Sequence, residues 1–85
     1  MTRPLLAAVL DGRVVALDAQ HARVILLDPR TEQIWRACTG LMGEEIAASV
    51  REASSDVTHT LRELAEAGLV SSEQDRWRQA RVTWI

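Results

Sequence analysis

The stretch Leu5-Leu6-Ala7-Ala8-Val9-Leu10-Asp11-Gly12-Arg13-Val14-Val15-Ala16-Leu17 decides how the chain begins to fold. Asp-Gly between two apolar runs is the strongest short-range hairpin signal, because both residues tolerate the positive φ that a tight two-residue turn demands. A third apolar run, residues 22–27, follows Asp18-Ala19-Gln20-His21, so the three runs predict an antiparallel meander. Val14, Val15, Val24 and Ile25 concentrate β-branched side chains in the second and third runs, where they pack well on a pleated surface. The first run, richer in Leu and Ala, carries the weakest strand signal.

Beyond the meander the period changes from two to helical. Asp28-Pro29 stops the third strand and opens a helix reaching about Cys38: Asp accepts from free N–H groups of the first turn, and Pro is preorganised for the first helical position. Ile34, Trp35 and Cys38 share one face of it, and Thr39-Gly40 offers a glycine to close it. A second helix over residues 43–52 buries Ile46, Ala47 and Val50. Ser54-Ser55-Asp56 supplies capping groups for a third over residues 56–67, whose Val57, Leu61, Leu64 and Ala65 form the clearest helical stripe in the chain. Gly68 ends it, Leu69-Val70 returns to the core, and residues 71–79 read as a polar segment. Residues 80–85 alternate Arg81 and Thr83 against Val82 and Trp84, the period of a possible C-terminal strand. The expected fold is α+β and winged helix-turn-helix-like: a three-stranded antiparallel sheet followed by three helices, one domain with its core over residues 5–70.

Composition narrows the function classes. With 85 residues the chain has room for one small core, and a net charge of −2 gives no general attraction to nucleic acid or anionic lipid. A single cysteine, Cys38, excludes an intrachain disulfide, and His21 and His59 alone make no metal-ligand cluster; no cofactor is expected. The apolar stretch from Pro4 to Leu10 is too short for a signal peptide and nothing approaches a membrane span, so a cytoplasmic protein is expected. No pattern of nucleophile and base, paired carboxylates or metal ligands suggests an enzyme. Glu44-Glu45 suits the positive end of the second helix, Cys38 reads as a small buried hydrophobe, and His21 and His59 read as solvated residues without an adjacent acid.

Two binding modes remain. The second and third helices could serve as the helix-turn-helix of a winged-helix DNA-binding transcriptional regulator. Against this, the third helix exposes Asp56, His59, Arg62, Glu63 and Glu66, where a groove-reading helix presents Arg, Lys, Asn or Gln. Arg76, Arg78 and Arg81 gather instead in the tail with Trp77 and Trp84. The third strand favours the other mode. Alternation makes both its faces apolar, with Ile25 and Leu27 on one and Val24 and Leu26 on the other, and a meander leaves it at a sheet edge with unpaired backbone groups. Such an edge accepts an added peptide strand. The tail strand, through Val82 and Trp84, or a second copy in a homodimer is the plainer cover for the second face.

The ordered set Val24-Ile25-Leu26-Leu27-Asp28-Pro29, Ile34-Trp35, Thr39-Gly40, Glu44-Glu45-Ile46-Ala47, Asp56-Val57, Leu61, Leu64 and Gly68-Leu69 resembles the PqqD-like family. Its members are precursor-recognition elements of pathways for ribosomally synthesised and post-translationally modified peptides. The resemblance covers roughly residues 13–70; Asp28 stands where the family has asparagine, which keeps the capping chemistry. It implies a non-catalytic adaptor that binds a precursor's leader peptide as an added strand and delivers it to a separate modifying enzyme or leader peptidase. Carried over by position, the leader-binding residues are Arg23, Val24, Ile25, Leu26 and Leu27 on the strand and Val57, Leu61, Arg62, Leu64 and Ala65 on the third helix. Val57, Leu61 and Leu64 are expected to serve the core as well, and Arg62 to face an acidic leader side chain. Nucleic acid and membrane are not expected partners.

Overall fold

A computed structural model describes residues 5–85. Pro4, which opens the first apolar stretch, lies outside the described residues. Among the described residues the fold is α+β, with three helices and seven strands in two sheets. The chain divides into two compact units: the part up to Glu32 together with Arg81–Ile85, and Gln33–Ala80.

In the first unit, β1 (Leu5–Leu10), β2 (Arg13–Asp18) and β3 (Arg23–Leu26) form the expected meander. Asp11 and Gly12 adopt φ of 52° and 75°, the paired positive values of the hairpin turn that their sequence demands. The C-terminal strand forms as β7 (Val82–Trp84), parallel to β1, giving the sheet order β3-β2-β1-β7. It does not cover β3: it extends the sheet at the far edge, and Val24 and Leu26 remain 70% and 55% exposed. Leu6, Leu17 and Val24 pair in one row and Ala8, Val15 and Leu26 in the next, on a single face. Ala7, Val14, Ala16 and Leu27 are buried.

Helix α1 (Pro29–Arg36) begins as predicted, with the Thr31 N–H donating to Asp28 Oδ1 at 2.7 Å. That bond, and the nearby Arg30 and Arg13, hold the Asp28 carboxyl below its ordinary range. The helix ends at Arg36, short of Cys38, and Gly40 is not its stop. Gly40 sits at φ 96° inside β4 (Thr39–Met42), where a Cβ would come within 3.2 Å of the Arg78 guanidinium. Helices α2 (Gly43–Val50) and α3 (Ser54–Glu66) follow. The Met42 N–H donates to the Glu45 carboxylate at 3.0 Å, so one of the two adjacent glutamates has a capping role. Ser54, Ser55 and Asp56 lie inside α3 rather than before it, and Ala53 at the cap position makes no side-chain bond.

Residues 71–79 are where the expected order fails. They belong to a hairpin of β5 (Val70–Glu73) and β6 (Arg76–Gln79), which with β4 makes a sheet of order β4-β6-β5. The second unit therefore interleaves three strands with helices where three successive helices and a polar segment were expected. Its buried side chains come from the three helices, the α3–β5 connection and β5: Ile34, Trp35, Ile46, Val57, Leu61, Leu64, Leu69 and Val70. Trp35 donates its indole N–H to the Leu69 carbonyl at 3.0 Å and accepts from the Gln79 amide on its own carbonyl at 3.0 Å, so residues far apart in sequence are tied to one aromatic anchor.

Candidate functional site

The residues assigned to peptide recognition fall into two groups, and each is held by its own unit. On β3, the pairing register and the bond from Leu27 N–H to Val14 O (3.0 Å) fix which backbone groups are engaged. In an antiparallel ladder hydrogen-bonded and non-bonded pairs alternate, so Leu27, Ile25 and Arg23 turn their N–H and C=O toward β2. Val24 and Leu26 turn theirs to the open edge. The same two residues carry the exposed apolar side chains of the strand, whereas Ile25 is half-buried and Leu27 buried.

The start of β3 is pinned by charge. Asp18, buried at the end of β2, accepts from the His21 N–H at 3.3 Å, meets His21 Nδ1 at 2.8 Å and pairs with Arg23 Nη2 at 3.3 Å. The His21 hydrogen bond, with help from Arg23, holds the Asp18 carboxyl below its ordinary range despite the opposing effect of burial. His21 thus has an adjacent acid, contrary to the sequence reading, and so does His59, whose Nε2 lies 2.7 Å from Glu63 Oε1 one helical turn away. Spacing of three and four residues was the available signal in both cases. Arg23, assigned as a ligand contact, is already occupied in fixing the β2–β3 turn.

On α3, Val57, Leu61 and Leu64 are buried and serve the core of the second unit, presenting no surface to a ligand. Ala65 and Arg62 are exposed. Arg62 lines a cleft of about 390 Å³ within this unit, together with residues from the start of α2, the first turns of α3 and the β5–β6 hairpin. Of the hairpin residues of that cleft, Trp77 was expected only as part of an arginine- and tryptophan-bearing tail, and Ser72 and Asp75 carried no expectation. Their turn, Gln74-Asp75, adopts φ of 53° and 64° without a glycine, so the composition gave no hairpin signal.

Cys38 is buried and donates its thiol to the Ile34 carbonyl at 3.3 Å; burial pushes its pKa up to about 11. A thiol so held is a poor nucleophile. Among the described residues no group of three or more His, Cys, Asp or Glu could hold a metal ion, and no helix is long and apolar enough to cross a membrane. No family model matches the chain, and neither a curated protein nor a solved structure was found to match it.

Proposed function

We propose that this chain is a non-catalytic peptide-recognition module that takes an extended segment of another polypeptide as an added strand along β3. The observation that carries this reading is the open edge itself: Val24 and Leu26 present backbone donors and acceptors outward, beside their own exposed apolar side chains. Main-chain bonds along such an edge set register, and side-chain anchors on alternate residues set specificity. The sequence resemblance to PqqD-like proteins supports a more specific ligand, the leader region of a ribosomal precursor peptide, handed to a separate modifying enzyme or leader peptidase. Contacts are assigned to Val24 and Leu26 first, with Ile25 contributing a half-buried flank.

Leu26→Pro tests this directly. Proline removes an N–H that faces the open edge and leaves the ladder to β2 intact, a position where strands tolerate it. Dye-labelled leader peptides from lasso, thioether-bridged, radical-modified and quinone-cofactor precursors are titrated by fluorescence anisotropy. One class is expected to bind wild type and to lose about tenfold or more in affinity with Leu26→Pro, the scale of one or two lost hydrogen bonds. Unchanged binding by a folded Leu26→Pro protein would overturn the reading.

A second reading has one specific observation in its favour. The order α1, β4, α2, α3, β5, β6 with sheet order β4-β6-β5 suits a winged helix-turn-helix, in which α3 and the hairpin would approach DNA. Charge opposes it. The unit carries five arginines against eight carboxylates, and its hairpin has Glu73 just before the turn and Asp75 within it. Affinity for duplex DNA that falls steeply with salt would favour this reading over strand addition.

A further inference from the structure

The second unit holds a cleft lined by side chains of several elements. Arg62 reaches it from α3, Glu44 from the first turn of α2, and Asp75 and Trp77 from the hairpin, and Ser54 and Thr58 of α3 also line it. Among the described residues, no hydrogen bond or ion pair engages any of these six side chains. The charges of the β2–β3 turn are arranged differently, with Asp18 bonded to both His21 and Arg23. On β6 the neighbouring arginines turn elsewhere: Arg76 donates to the Gly40 carbonyl at 3.0 Å, and the Arg78 guanidinium lies against the same glycine. Among the described residues Arg62 is accordingly the one cation lining the cleft.

The volume of about 390 Å³ falls within the range, roughly 300–1,000 Å³, of sites that hold small ligands or short segments. One guanidinium and two carboxylates line it without pairing with each other, so a ligand of either sign alone would meet repulsion as well as attraction. A ligand with both charges meets neither penalty. A basic group drawn to Glu44 and Asp75 would share the cleft with Trp77, whose ring attracts cations at its face and packs against their aliphatic stems. We infer that the cleft binds a short peptide segment carrying one acidic and one basic side chain, the acid on Arg62 and the base on Glu44, Asp75 and Trp77. This inference is independent of strand addition at β3.

Gly43 provides a way to close the site. A Cβ there would stand 3.8 Å from Trp77 Nε1 and 3.9 Å from Thr58 Oγ1, ordinary contacts, so a longer side chain grows into the cleft from a helix start that accepts it. The full chain, labelled with ¹⁵N, is titrated with a blocked tripeptide bearing aspartate and arginine on either side of alanine, and with its asparagine–glutamine counterpart. The Trp77 indole resonance is expected to shift saturably with the charged tripeptide only, while the Trp35 indole, bonded to Leu69, stays fixed. Arg62→Gln and Asp75→Asn are each expected to weaken binding about two- to fivefold, the range for exposed ion pairs. Gly43→Leu is expected to abolish it. A Trp77 resonance that does not move, or moves equally with the neutral tripeptide, overturns the assignment. So does wild-type affinity in a folded Arg62→Gln, Asp75→Asn double variant. Because these variants leave β3 untouched, their outcome is separate from that of Leu26→Pro.

Discussion

The two units of this chain distribute their polar and apolar groups in opposite ways. In the four-stranded sheet the charges of the β2–β3 turn satisfy one another around Asp18, while apolar side chains and backbone groups are left open at β3. In the second unit the apolar side chains are buried around Trp35 and Leu61, and polar groups are left unpaired in a cleft. Unsatisfied backbone at a strand edge suits a partner that brings its own backbone; unsatisfied charge in a concave surface suits one that brings side chains. The contrast teaches that recognition capacity lies wherever a small fold stops satisfying itself internally.

The largest effect that sharpens the contrast is expected in the second unit's core. Trp35→Ala removes a fully packed ring and one of the two hydrogen bonds to the Leu69 carbonyl, and should cost about 3–5 kcal/mol in urea unfolding. An equal loss from Val24→Ala on β3 would break the contrast, since that side chain is 70% exposed. Backbone strain comes next. Gly68, at φ 79° just past α3, has open space around a Cβ, so Gly68→Ala should cost about 1 kcal/mol through conformation alone. Arg51 occupies the same left-handed region at the end of α2, and Arg51→Gly should gain about 0.5–1 kcal/mol in thermal unfolding.

The Asp18 cluster responds to pH with a defined sign. Its carboxyl is held below the ordinary value of 3.8 in the folded chain, so its contribution is complete above that value and is lost as pH falls through the lower folded value. Thermal melts of wild type and Asp18→Asn should differ at about pH 6 and converge toward about pH 2. A gap that widened on acidification would place the proton elsewhere. The smallest stability effect is expected at the proposed edge itself: Val24→Thr should change unfolding free energy by no more than about 0.5 kcal/mol, as surface substitutions do. Its effect should be seen in peptide titrations instead.

Much of the fold was legible because local chemistry dictates it. Asp11-Gly12 fixes a hairpin, Asp28-Pro29 fixes a helix start, and the stripe of Val57, Leu61 and Leu64 fixes the buried face of α3. The edge position of β3 followed from the same meander. The cleft was not legible. Gln74-Asp75 turns a hairpin without glycine, and Gly40 reads like a helix stop although it lies within β4, against the Arg78 guanidinium. The hairpin pairs locally on residues that carry no turn signal, and β4 forms through pairing across nearly 40 positions, as with Thr39 and Arg78.

The amino-acid sequence by itself determined the meander, the three helices and the apolar character of both β3 faces, since each depends on neighbours a few residues apart. Only the tertiary structure decided that the tail strand joins β1 instead of shielding β3, that Arg23 is occupied by Asp18, and that Arg62, Asp75 and Trp77 meet in one cleft. Those outcomes depend on strand register and on which of several polar groups come within bonding distance. Such choices are settled by packing the whole chain, and no local pattern of residues encodes them.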